Sequence, residues 1–114
     1  MLHRLAIRDF VIVTGYRGDL IAQQLRDHAN FRMNVHLLDN PEWHRGNGIS
    51  VLRALAYLAP EEPVILSMAD HVVSPAALAA VRAAPSGLNL LLVDPRIDEC
   101  FDLPDATKVR REGD

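Results

Sequence analysis

Two stretches of this 114-residue chain combine residue types that can do chemistry. The first is Asn40-Pro41-Glu42-Trp43-His44-Arg45-Gly46-Asn47-Gly48-Ile49-Ser50, a polar, glycine-broken loop that opens a helix. A helix N-terminus carries free backbone N–H groups and a partial positive charge, which suits a phosphate or a nucleotide. Gly46 and Gly48 let backbone approach a planar ligand closely. Asn47 offers both a donor and an acceptor to a base edge, and Ser50 is placed to cap the following helix. An ordinary capped loop has the same composition. The second stretch is Ser67-Met68-Ala69-Asp70-His71, an apolar run that ends in an acid. An acid at the carboxyl end of a parallel strand lies where open α/β sheets bind ligands and where a divalent metal can be held. Taken alone, Asp70 reads first as a strand-end cap and second as a metal ligand, and His71 reads as structural.

Other motifs are weaker. Gly15-Tyr16-Arg17-Gly18 joins a strand to a helix, a context that can cradle phosphate. Its spacing matches neither the P-loop nor the dinucleotide fingerprint, so a tight turn is the first reading. Lys108 could hold a phosphate as a point charge, or be a solvated lysine. His3, His28, His36 and His44 are scattered without zinc spacing and belong to surface or loop. Trp43 anchors its loop by packing. Cys100 reads as a small apolar filler; as the single cysteine it excludes an internal disulfide and fits a reducing cytoplasm.

The elements that must position these residues follow from apolar patterning. Residues 10–14 are a β-branched run ending at Gly15 and predict a buried strand. Asp19 is a fair N-cap for a helix over 20–28, where Leu20, Ile21 and Leu25 recur at helical spacing. A second strand is expected at 34–38. A helix then runs through Val51, Leu52, Leu55 and Leu58, closed by Pro60 and Pro63. Residues 63–68 predict a third buried strand. Ser74-Pro75 pairs a cap with proline at the first helical position and opens an alanine-rich helix to Ala83 or Ala84. Pro85-Ser86-Gly87 turns the chain into a fourth strand at 88–93, and a short strand is expected at 107–111. The alternation argues for a mostly parallel sheet covered on both faces.

Length and composition set bounds. One domain with a real core is expected, with no linker, repeat or low-complexity segment. The hydrophobic fraction of 49% is that of a globular chain. With a net charge of -3 and no basic stripe, nucleic acid is not an expected partner. No apolar run reaches the length of a membrane span, and Met1-Leu2-His3-Arg4 does not open a signal peptide. A cytoplasmic location is expected.

Four blocks in order carry a resemblance. They are Val13-Thr14-Gly15-Tyr16-Arg17-Gly18, the Asn40 to Ser50 stretch, Met68-Ala69-Asp70-His71-Val72, and Asp105-Ala106-Thr107-Lys108-Val109. They resemble the sugar-nucleotidyltransferase-like superfamily, and most closely its CTP:inositol-1-phosphate cytidylyltransferase branch, over residues 7–109. The resemblance implies a Rossmann-like three-layer α/β/α nucleotidyltransferase fold with a mostly parallel sheet. It implies transfer of a nucleotidyl group from a nucleoside triphosphate, CTP, to a phosphorylated polyol, inositol 1-phosphate, with release of pyrophosphate and with Mg2+ bridging the phosphates. By position, Gly46, Asn47, Gly48 and Ser50 would contact the nucleotide, Asp70 would bind the metal, and Lys108 would lie near the acceptor phosphate. Asp70 and Lys108 are thus the expected catalytic residues. A sugar-phosphate or phosphocholine nucleotidyltransferase is one alternative; a non-catalytic nucleotide-binding or partner-binding remnant is another.

The chain also departs from that pattern. The family's opening strand and its glycine-rich triphosphate loop are expected before Met1, and more of the acceptor site beyond Asp114, so residues 1–114 read as a partial domain with impaired activity. The absent strand would lie between those at 10–14 and 63–68. These two must then pair directly, leave a gap, or recruit a segment from another chain. Marginal stability, self-association or a complementing chain are the expected consequences.

Overall fold

The computed structural model describes residues 7–85, 87–104, 106–110 and 112. The β-branched run Val11-Ile12-Val13 lies within strand β1 (Asp9–Thr14), which pairs in parallel with β2 (Asn34–Asp39). The register runs from Asp9 opposite Asn34 to Thr14 opposite Asp39. It is pinned at its start, where Arg8 O accepts from Asn34 N at 2.7 Å and Asp9 Oδ1 from Asn34 Nδ2 at 2.8 Å. At its end Thr14 O accepts from Asn40 N at 2.8 Å. Helix α1 (Gly18–Asp27) makes the parallel crossover between the two strands. A single left-handed turn, with Ala29, Asn30, Phe31 and Arg32 all at positive φ, then returns the chain to β2.

Helix α1 begins one turn-residue before the expected cap. Arg17, in the left-handed region at φ 54, holds the N-cap position, and Asp19 falls in the first turn, where its charge favours the helix dipole. Helix α2 (Asn47–Leu55) packs on β1. It ends earlier than expected, in loose turns to Leu58. Helix α3 (Pro75–Ala83) has the expected start, with Ser74 Oγ accepting from Ala77 N at 3.1 Å. Among the described residues the buried apolar side chains are Leu25 of α1 and Leu78 of α3.

The chain is therefore α/β with a small two-stranded parallel sheet. The strands expected at 63–68 and 88–93 are corrected: both segments run without ladder partners, as does the described part of 107–111. Arg111 itself lies outside the described residues, as do Ser86 and Asp105. A strand is defined by its hydrogen-bonded neighbour, not by its apolar content. Val64, Ile65 and Leu66, like Leu90, Leu91 and Leu92, remain exposed. Of the three outcomes open to β1 and 63–68, direct pairing does not occur.

Candidate functional site

Gly46 ends a short 3-10 turn (Trp43–Arg45) and is the N-cap of α2, with φ 109 and ψ 165. That backbone region is closed to side chains, so glycine here is a conformational requirement. Asn47 is the first residue of α2, and Gly48 follows it with open space around its α-carbon. Ser50 differs from expectation. The helix starts three residues before it, so Ser50 is not the cap; its Oγ instead accepts from Asn40 Nδ2 at 3.0 Å.

Asn47 lines an open concavity of about 430 Å³ together with Met68, Ala69, Asp70 and His71. Asp70 sits in a turn after the unpaired 63–68 segment, not at the end of a ladder strand. Its carboxylate is 87% exposed, and the nearest cationic candidate, His71 Nε2, stands 4.0 Å away. The start of a helix and an exposed carboxylate thus border one hollow. A phosphorylated ligand fits the first, and a cation bridging that ligand to the protein fits the second. Magnesium is commonly held by one or two carboxylates plus substrate phosphates, and a single open acid suits that mode. Among the described residues no group of three or more His, Cys, Asp or Glu side chains could hold a metal by itself.

Lys108 does not line this concavity. Its Nζ donates to Pro104 O at 2.9 Å. Trp43 packs its Cβ directly over Gly15 and tilts against Tyr16 with ring centroids 5.5 Å apart, which anchors the loop to the end of β1. Arg45 and Glu42 form an ion pair within the loop. Cys100 is exposed and not the filler expected of it. His28, His36 and His44 are exposed; His36 accepts or donates at 2.5 Å to Tyr57 Oη, joining β2 to the end of α2. Asn40 was not among the expected site residues. The Asn-Pro pair signals a turn, but its bond to Ser50 spans ten positions and leaves no local trace.

This chain is similar to a bifunctional IPC transferase and DIPP synthase of Rubrobacter xylanophilus. The two are 32% identical over 105 residues, which is 92% of this chain and 22% of that protein. The likeness supports a nucleotidyltransferase-like relationship for a chain that spans about a fifth of its relative's length. No family model matches the chain. No solved structure matches it. Among the described residues no helix is long and apolar enough to cross a membrane.

Proposed function

We propose that this chain supplies part of the nucleotide and metal site of a cytidylyltransferase, which transfers a cytidylyl group from CTP to inositol 1-phosphate or a similar phosphorylated polyol. The observation that carries the proposal is the meeting of Asn47, at the N-terminus of α2, with Asp70 across one concavity. The likeness to a transferase of Rubrobacter xylanophilus supports it.

In this reaction an oxygen of the acceptor phosphate forms a bond to the α-phosphorus of CTP. The bond from that phosphorus to the α–β bridging oxygen breaks, and the electron pair leaves with pyrophosphate. The protein's part is to position groups and balance charge. Asn47 reads the base edge with its amide, beside Gly46 and Gly48, where no side chain obstructs approach. Asp70 would be the residue to hold Mg2+, which when bound would supply charge neutralisation for the phosphates. Lys108 exchanges its neutral carbonyl partner for the acceptor phosphate.

Calorimetric titration with CTP, UTP and GTP, with and without Mg2+, tests the proposal. CTP is expected to bind most tightly, and Asp70→Asn to remove the magnesium dependence. Unchanged magnesium-dependent binding in Asp70→Asn would sink the metal role. The separate placement of Lys108 favours one competing reading, a module that holds a nucleotide without turnover. Binding of CTP with no pyrophosphate released on adding inositol 1-phosphate would select that reading.

A further inference from the structure

Asn40 is the most buried polar residue described, at 1% exposure, and every polar group it carries is engaged. Its N–H donates to Thr14 O at 2.8 Å, extending the β1–β2 ladder by one bond. Its C=O accepts from Trp43 N at 3.2 Å. Its Oδ1 accepts from Glu42 N at 3.0 Å, closing a side-chain turn over Pro41. Its Nδ2 donates to Ser50 Oγ at 3.0 Å. The orientation of the amide is unambiguous, because a backbone N–H can only donate and so must face the oxygen. The remaining Nδ2 therefore has one task, which is to grip α2 from the side of the sheet.

We propose that Asn40 is a positioning residue for the nucleotide site, acting through Ser50 to set where the first turn of α2 presents Gly46, Asn47 and Gly48. Ser50 lies one helical turn beyond Gly46, so a fixed Ser50 fixes the N-terminus that lines the concavity with Asp70. The loop from Pro41 to Arg45 cannot do this alone. Its contacts are made within itself, to Gly15, Tyr16 and Asn40, and to the start of α2, whereas the Asn40–Ser50 bond adds to the packing of α2 on β1 a directed tie between the helix and the end of the sheet. The remaining bonds of Asn40 survive when Ser50 loses its hydroxyl, so Ser50→Ala loosens the first turn of α2 while the loop and the packing of α2 on β1 persist. The nucleotide readout rests on the function proposed above; the geometric readout does not.

The test compares wild type, Ser50→Ala, Ser50→Thr, Asn40→Ala and the Asn40→Ala/Ser50→Ala double variant, each in the 114-residue chain. Affinity for CTP with Mg2+ is measured by calorimetry, thermal midpoints by circular dichroism, and backbone amide shifts of residues 46–49 by NMR. Ser50→Ala is expected to weaken CTP about tenfold, the worth of one well-made hydrogen bond. Its thermal midpoint should fall by a few degrees, because Asn40 Nδ2 is left buried without a partner. Ser50→Thr should restore binding, and the double variant should bind no worse than Asn40→Ala. Ser50→Ala binding CTP like wild type, or weakening only in proportion to lost folded protein, would overturn the proposal. If wild type binds no CTP, the nucleotide reading fails separately. The amide shifts then decide: displacement of residues 46–49 in Ser50→Ala upholds the positioning role, and unchanged shifts overturn it.

Discussion

Trp43 lies so close over Gly15 that a β-carbon built on Gly15 would stand 2.5 Å from Trp43 Cγ and closer still to its Cβ. The loop before α2 is thereby pressed onto the end of β1 at a point where any side chain collides. Gly15→Ala should force Trp43 outward and destabilise the fold by about 1–3 kcal/mol, the usual cost of overpacking. Because Trp43 is the single tryptophan, its emission should shift to the red in the native baseline. Unchanged emission and an unchanged urea midpoint would show that the contact is dispensable.

Gly46 tests conformation instead of space. Nothing lies within reach of a β-carbon there, yet φ is 109. Gly46→Ala should therefore cost about 1–3 kcal/mol through backbone strain alone, or shift the start of α2. Helical content near Asn47, read from NMR secondary shifts, should fall. A variant with wild-type stability and shifts would contradict the strained geometry.

Ser74, three residues beyond His71, offers a control outside the lining of the concavity. Its Oγ caps α3 and Pro75 follows at the first helical position. Ser74→Ala should lose about 1 kcal/mol, Ser74→Asp should retain most of it, and CTP affinity should be unaltered in both. A change in CTP affinity would mean that α3 is coupled to the site.

Asp94 should titrate below the ordinary carboxylate range. The side-chain hydrogen bonds from Arg96 are the main cause, followed by the bond from the Arg96 backbone N–H. A lowered folded-state value means that the interaction is fully present above the usual carboxylate range. It is lost as pH falls through the lowered value. Both side chains are exposed, so little change in global stability is expected. Carboxyl carbon shifts followed against pH should show the Asp94 midpoint rising in Arg96→Ala. An unmoved midpoint would rule out the pairing in solution.

Several elements could be read directly from residue order because their causes are local. The β-branched run of β1, the helical spacing of Leu20, Ile21 and Leu25, and the Ser74-Pro75 start of α3 each carry their own signal. The segments at 63–68 and 88–93 look equally strand-like, but ladder pairing depends on a neighbour that local pattern does not supply. The same distinction runs through the site. Gly46 and Asn47 were legible as a glycine-broken helix start. Ser50 resembled a cap because a hydroxyl near a helix start usually is one, and only the fold brings Asn40 to it.

The one-sided pairing of β1 divides its amides into two populations. Arg8 and Thr14 turn their carbonyls to β2, so in a parallel ladder the even-numbered residues between them face the partner and Val11 and Val13 face away. Deuterium uptake along this one strand should therefore alternate: slow at Phe10, Ile12 and Thr14, fast at Val11 and Val13. The same alternation marks the half of β1 that has no ladder partner among the described residues as a row of donors and acceptors at every second position. Any strand arriving there would find only the alternation of its bonds prescribed, and its slide along β1 would be settled by side-chain fit.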